Sequence, residues 1–487
     1  MSGATDPTDP DAGARDALRL IGPDPQNWVP ERVGSDGRPI DHNVAIVGGG
    51  QSGCAFAFAL RRAGIGGVSV IDMAAGEDAA GVWLNAARMN VLRTPKTLPG
   101  PELGIAALGF QAWYEARHGH AAYAAIERIP RAAWAEYLRW YRNFLGIPVR
   151  YRTRLVRIEP AAGHFRLHLE EEGSATVETA RKIILANGVA ASGGPYIPPA
   201  LSLGLPRQLY AHTAEAIDFA ALRNKRVAVI GGAASAFDAA AVALEAGADS
   251  VDLFARRASL ASVPISRVRG YPGAYDNFDA LPDALRWHQA IRFRRAGSTA
   301  PGDAIERVLR FANFRLHLAA PWRAASEEAG EIVARTESAG AGEFRCDFAI
   351  AGTGYFVDAH CRPELADFAE RILLWRDRYQ PRPDEADPDL GAHPYLGAGH
   401  EYLEKAPGTA AYLGNIHVHN PAGFVSFGWP EGDVPSMKRG IPAIVARIGR
   451  DLFLADLDLH QRRLTADVAP DFAESLYERV LAREPAP

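Results

Sequence analysis

At 487 residues the chain exceeds what one hydrophobic core normally serves, so two or more domains are expected. Apolar residues make up 48% and charged residues 23%, which fits a globular protein and excludes a disordered chain. A net charge of −5 offers no general attraction to nucleic acid or acidic membranes, and the three cysteines form no C-x-x-C pair, against a dithiol reductase or a zinc ribbon.

The opening residues are acidic and rich in Pro and Gly, without the pattern of a signal peptide. No apolar run approaches the roughly 18 residues of a membrane span. Cys54, Cys346 and Cys361 suit a reducing compartment, so a cytoplasmic protein is expected. Residues 1–40 read as an irregular arm, anchored by Leu18, Leu20, Ile21 and Trp28.

The first strong signal begins at Asn43, in "NVAIVGGGQSGCAFAFALRRAG". Val44 to Val47 read as a buried parallel strand, apolar on both faces. Gly48, Gly50 and Gly53 then fit G-x-G-x-x-G around Gln51 and Ser52. The first glycine serves a tight turn, the second lets backbone approach a pyrophosphate, and the third brings the next helix close to the sheet. A helix follows, then a second strand "VSVID" ending in Asp72, where a carboxylate would accept hydrogen bonds from a ribose. Strand, turn, helix, strand and acid in register predict dinucleotide binding.

"RVAVIGGAASAFDAAAVALEAG", from Arg226, repeats the unit with changes. Gly231 holds the turn, Ala233 replaces the middle glycine, and Ala236 replaces the third, a known variant. The second strand here ends in Arg256 and Arg257 where an NAD site would carry an acid. Guanidinium at that place suits a 2′-phosphate, so NADP is preferred to NAD, with a solvated basic face as the plain alternative.

These two units predict an α/β protein of two nested dinucleotide-binding, Rossmann-like domains, the second inserted in the first. The expected boundaries are 1–40 for the arm, 41–220 and 346–487 for the first domain, and 221–345 for the second. "RKIILANG" reads as a further strand of the first domain and "GVAASGGPYIPP" as a linker. "VRYRTRLVRIEP" and "HFRLHLEEEG" alternate as antiparallel strands. "CDFAIAGTGY" is expected to return the chain to the first domain, and "PSMKRGIPAIVARIGRDLF" to close it with a helix.

With "AGVWL" at 80–84 and "AGTGY" at 351–355, the chain resembles the single-component, NADPH-dependent flavoprotein monooxygenases: the flavin-containing, Baeyer–Villiger and N-hydroxylating enzymes. Trp83 stands in the family's G-G-x-W. Asp347, "AGTGY" and His360 follow D-x3-(L/F)-A-T-G-Y-x4-(H/P), with Ala351 and Gly352 as departures. Of F-x-G-x-x-x-H only His212 matches. "MNVLRTPKTLPGPELG", "FQAWYEARHG" and "HPYLGAGHEYLEK" are similar to bacterial proteins labelled FAD-dependent urate hydroxylases.

The resemblance implies that the first unit binds FAD through Gly48, Gly50, Gln51, Ser52, Gly53, Asp72 and Trp83. It implies that the second binds NADPH through Gly231, Ser235, Arg256 and Arg257, with Gly354 near both. NADPH would reduce the flavin, O2 would form a C4a-hydroperoxide, and a small polar substrate would be oxygenated. Arg93 and Lys96 are the candidate catalytic cations beside substrate or flavin. His417 and His419 read as an ordinary hydrogen-bonded pair rather than metal ligands, so no metal is expected. Neither nucleic acid nor membrane is an expected partner, and homo-oligomer formation is left open. The alternatives are a flavin dehydrogenase or oxidase with a degenerate pyridine-nucleotide domain, motivated by Ala233, and a non-catalytic flavoprotein.

Overall fold

The apolar run at 44–47 lies inside a six-stranded sheet, in a computed structural model that describes residues 9–337 and 342–481. Its strand, His42–Val47, buries Val44, Ala45 and Ile46 because neighbours cover both faces. It runs parallel to Val68–Ile71 on one side and to the far half of Ser174–Leu185 on the other. That long strand changes partners midway. Its near half runs antiparallel to His164–Glu171, which pairs with Thr153–Ala161, as the alternating sequence predicts. Its far half is flanked instead by Ile416–Val418, in parallel. Exposure follows the change: residues 174–177 are exposed, whereas 180–185 are buried.

A second sheet of five parallel strands has the order Phe314–His317, Ser250–Phe254, Arg226–Ile230, Phe348–Ala351, Tyr210–His212. The alanine-rich helix Ala234–Glu245 packs on one face, where small side chains let it lie close to Val227, Val229 and Ile350. The other face receives Trp322, Ile332 and Ala334 from a three-stranded antiparallel sheet. All strands of the second sheet fall between strands 174–185 and 416–418 of the first.

Two expectations are corrected. The strand at 348–351 does not return the chain to the first sheet. It pairs with Arg226–Ile230 and Tyr210–His212, so the second sheet takes strands from beyond both expected boundaries, and Ile416–Val418 makes the return. Nor is the arm irregular. Residues Pro10–Leu20 form a helix, with the Asp9 carboxylate accepting from Asp11 N and Pro10 at the first position, a favourable helix start. Trp140 Nε1 donates to Asp11 Oδ1 at 2.7 Å, and Trp28 Nε1 to Ala63 O at 2.8 Å. Leu20 and Ile21 are exposed, so Trp28 and Leu18 anchor the arm. Residues 1–8 lie outside the described residues.

The two chain crossings between the sheets lie side by side: Gly193–Pro195 pairs antiparallel with Tyr355–Val357. A Cβ at Gly193 would stand 2.4 Å from Phe356 O, so the ribbon needs glycine there. The closing helix, Met437–Ala455, forms as expected and packs Ile441, Ile444 and Ile448 into the first core. Among the described residues no helix is long and apolar enough to cross a membrane.

Asp456 shows how the arm is fastened: fully buried, it accepts from Arg32 Nε and from an Arg181 terminal nitrogen, both at 2.7 Å. His393, also buried, pairs its Nδ1 with Ala422 O at 2.9 Å, and burial pulls its imidazole down to about 4. The unfolded imidazole titrates near 6.5, so the unfolded chain takes up this proton first as the medium acidifies. The stabilising effect is therefore complete above pH ~6.5 and declines toward pH ~4, by up to about 1.4 kcal/mol per unit. His393→Gln is expected to lose less melting temperature than the wild type between pH 7 and pH 5; an equal loss would remove His393 from the acid response.

Candidate functional site

The first glycine turn owes two of its three glycines to the chain's own packing. Gly48 has φ +107°, and a Cβ there would come within 2.3 Å of Ala186 O. A Cβ at Gly53 would lie 1.8 Å from Gly48 O, so helix Gln51–Arg62 rests directly on the turn. Gly50 differs. It precedes the helix at φ −74°, and a Cβ there would meet nothing nearer than Gly81 Cα at 3.8 Å. The middle glycine faces open space.

That space is an open cleft, lined by Gly49, Gly50 and Gln51, by Gly81 and Trp83, and by the Arg142 side of helix Arg131–Phe144. No side chain caps helix 51–62, so its first N–H groups are available to an anion. Asp72 stands beside the turn, its two oxygens accepting from Gly49 N and Ala74 N at 2.7 Å each. Each oxygen keeps further lone pairs for a hydroxyl ligand. Trp83 meets Trp134 edge-to-face at 6.2 Å, and Trp134 Nε1 donates to Gln51 Oε1 at 3.3 Å. Gln51 in turn donates to Gly432 O at 3.2 Å, tying the helix start to the segment before helix 437–455. Ser52 is buried in the first turn of the helix. Burial also pushes the Cys54 thiol up to about 12, so this cysteine is neutral and no nucleophile.

The second turn repeats the close approach with one substitution. Gly231 has φ +147°, and a Cβ there would lie 2.3 Å from Gly352 O. Ala233 precedes helix Ala234–Glu245 at φ −115°, an extended conformation open to any residue. A Cβ added at Gly352 would come within 2.8 Å of both Ala236 Cα and Cβ. The Ala236 methyl therefore takes the room that a methyl at 352 would need. Two departures from motif, Ala for the third glycine and Gly in A-T-G-Y, form one contact.

Ser235 is exposed in the first turn of this helix, and Arg256 is exposed at the end of strand 250–254, with no hydrogen bond or ion pair among the described residues. Arg257 is not a free cation. Its terminal nitrogens donate to Arg295 O at 2.7 Å and Arg294 O at 3.0 Å, closing the carbonyl end of helix Asp283–Ala296. Lys96 is a second correction: its ammonium donates to Tyr123 O at 2.8 Å and Ile126 O at 2.6 Å and sits 4.4 Å from the Tyr123 ring centroid. Unpaired carbonyls at the end of helix His120–Ala125 attract it. Arg93 is exposed, with Asp238 and Asp303 of the second unit as charged neighbours.

Gly354, φ +80°, accepts from Tyr196 N at 2.9 Å, and His212 Nε2 lies 3.0 Å from the same oxygen. The motif residue Asp347 is structural: it accepts from Arg226 N and its guanidinium, both at 2.7 Å, fixing the start of strand 226–230. His360 is exposed and paired with Asp358 at 3.0 Å. Asp238 went unnoticed in the sequence. It is buried in helix 234–245, 3.4 Å from Arg307, and burial pushes its carboxyl up to about 6 against the pull of Arg93 and Arg307. Arg307 also donates to Arg88 O, and Arg88 to Glu215 O, lacing the two units together. The signal was a lone acid in an otherwise apolar helical run. His417 and His419 do not pair with each other: His417 Nδ1 takes Gly399 O at 2.8 Å, while His419 turns toward Glu431.

The sequence pattern of the pyridine nucleotide-disulphide oxidoreductase family matches residues 45–270. The FAD-dependent urate hydroxylase of Xanthomonas campestris pv. campestris is 42% identical over 432 residues, spanning 88% of this chain and 89% of that protein. Among solved structures, ornithine hydroxylase PvdA of Pseudomonas aeruginosa superposes with a TM-score of 0.66 at 18% identity, over 85% of this chain and all of that one. Kutzneria sp. 744 ornithine N-hydroxylase KtzI, solved with reduced FAD, NADP+ and L-ornithine, gives 0.66 at 15% identity, over 84% of this chain and 99% of that one. The three cysteines are free, so among the described residues no disulfide stands at the turn.

The linked contact at 236 and 352 is testable by a double-mutant cycle. Gly352→Ala alone should cost roughly 1–3 kcal/mol by overpacking, and Ala236→Gly alone about 1 kcal/mol from helix propensity. The pair together should be less harmful than the sum by about 1 kcal/mol in denaturation experiments. Strict additivity would separate the two positions.

Proposed function

Because the chain belongs to the family of FAD-dependent hydroxylases, we propose that this oxidoreductase is an FAD-containing, NADPH-dependent monooxygenase acting on urate or a closely similar oxidised purine. The observation that carries the reading is the near full-length kinship with the Xanthomonas enzyme. The first turn fits FAD. Gly48 and Gly53 bring helix and backbone together, Gly50 leaves the space a pyrophosphate needs, and Asp72 stands where a ribose would lie.

Bound there, the flavin would supply the redox and oxygen-activating chemistry. The chain's own residues hold and orient. The free N–H groups at the start of helix 51–62 receive the pyrophosphate, Ser52 lies in that turn, and Gln51 and Trp83 wall the cleft. At the second turn, Gly231 and the start of helix 234–245 with Ser235 receive the NADPH pyrophosphate, and Arg256 takes the 2′-phosphate. Gly354 adjoins the ribbon joining the two sheets and would lie near both nicotinamide and flavin. Urate is an anion at neutral pH, and Arg93 is the cation of the original pair left free to hold it. O2 would be the co-substrate.

Anaerobic mixing with NADPH tests the reading: the flavin absorbance of the purified chain should bleach. In air, urate should accelerate NADPH consumption with little hydrogen peroxide released. A flavin that stays oxidised would instead favour a dehydrogenase or oxidase served by a different donor, the reading that Ala233 supports.

Arg256→Ala should raise the KM for NADPH about tenfold, equivalent to ~1.4 kcal/mol, and leave that for NADH nearly unchanged. An unaltered preference in steady-state kinetics would move the phosphate contact away from Arg256.

A further inference from the structure

The buried polar groups least accounted for by the fold lie behind the segment that Gln51 touches. His400, His419 and Glu431 are 0%, 1% and 3% exposed. They come from three separate places: a turn, the end of strand 416–418, and the segment leading to helix 437–455. One ring nitrogen of each histidine and one Glu431 oxygen lie within 4.8 Å of one another. His419 Nδ1 is 3.3 Å from Glu431 Oε2, and His400 Nδ1 is 4.0 Å from it. Despite this proximity, both His419 nitrogens, His400 Nε2 and Glu431 Oε2 lack a hydrogen-bond partner. A carboxylate and two imidazoles in that condition are costly in a dry interior.

The neighbourhood is shaped around them. The His400 ring stacks on Phe427 with centroids 3.8 Å apart, and the His419 ring meets Phe56 edge-on at 5.2 Å. His400 Nδ1 faces Val418 O at 3.3 Å, the backbone partner that orients a ligating imidazole. Gly440 lies inside helix 437–455, where glycine costs about 1 kcal/mol relative to alanine. A Cβ there would stand 2.8 Å from His419 Nδ1 and 2.9 Å from Glu431 Oε2. The nearby cation, Arg439, donates to Asp279, and the half-buried carboxyl of Asp433, which accepts from Ser436 N, lies beside Glu431.

We propose that His400, His419 and Glu431 bind a divalent d-block cation, zinc foremost, which ties the three segments together. Two imidazole nitrogens and one carboxylate oxygen are donors that zinc takes readily, whereas calcium and magnesium favour all-oxygen sets. Tetrahedral bonds of ~2.0–2.1 Å separate donors by about 3.3 Å, the spacing the His419–Glu431 pair already has, and the unpartnered His400 Nε2 is the nitrogen left to complete the set. The ion would steady the segment whose Gly432 receives Gln51, and so support the first turn from behind.

Elemental analysis of the purified flavoprotein, passed over a chelating resin, should find about one zinc or similar ion per chain. His419→Gln and Glu431→Gln should each lose it with flavin absorbance retained. Zinc-edge X-ray absorption of the wild type should show two imidazoles and no sulfur, a readout that stands even where a variant fails to fold. A wild-type chain that holds no metal and takes up none from micromolar zinc would overturn the proposal, leaving a proton shared by His419 and Glu431. Metal kept in both variants, or a sulfur ligand, would overturn it equally.

Discussion

The contact between Gly53 and the Gly48 carbonyl governs the first half of the molecule. With only 1.8 Å between that oxygen and the place a Cβ would occupy, helix 51–62 is pressed onto the turn that launches it. Its free N–H groups are thereby aimed past Gly50 into the cleft, and Cys54 and Phe56 are driven into the core. Strand 42–47 can then be covered on both faces, as a central parallel strand requires. Helix placement and core packing are here the same event: a side chain large enough to spoil one would spoil both.

The second unit reaches that geometry by another distribution of atoms. Its helix carries a methyl at Ala236, and the loop after strand 348–351 gives way with Gly352. Read singly, each residue is a lapse from motif; read together, they conserve the volume between helix and loop. Ala233 then stands apart as the one change the chain's own packing does not demand, because its backbone is ordinary. Any cost of that methyl falls on the ligand.

Much of this was legible because dinucleotide units are local. Strand, turn, helix and strand occupy one short window, and their apolar runs and glycines record contacts within it. Both units, the antiparallel pair at 153–171 and the closing helix were readable on that basis. Strand 348–351 was not, since a run apolar on both faces declares that a strand is buried without naming the sheet that buries it. The helix at 10–20 carried a usable signal, Asp9 followed by Pro10, masked by the polar composition around it. Asp238 and the group at 400, 419 and 431 depend on residues far apart in sequence, which no periodicity encodes.

Cations were the least legible of all, for a physical reason. Lysine and arginine near a predicted cleft look alike whether they await an anion or satisfy carbonyl groups, and every helix ends in several carbonyls without partners. Lys96 and Arg257 were both claimed in this way, by the ends of helices 120–125 and 283–296. The Arg256 and Arg93 side chains make no such bond among the described residues. For Lys96 and Arg257 the adjacent helix terminus accounts for the charge, and two of the five guanidinium donors of Arg257 are spent on backbone carbonyls.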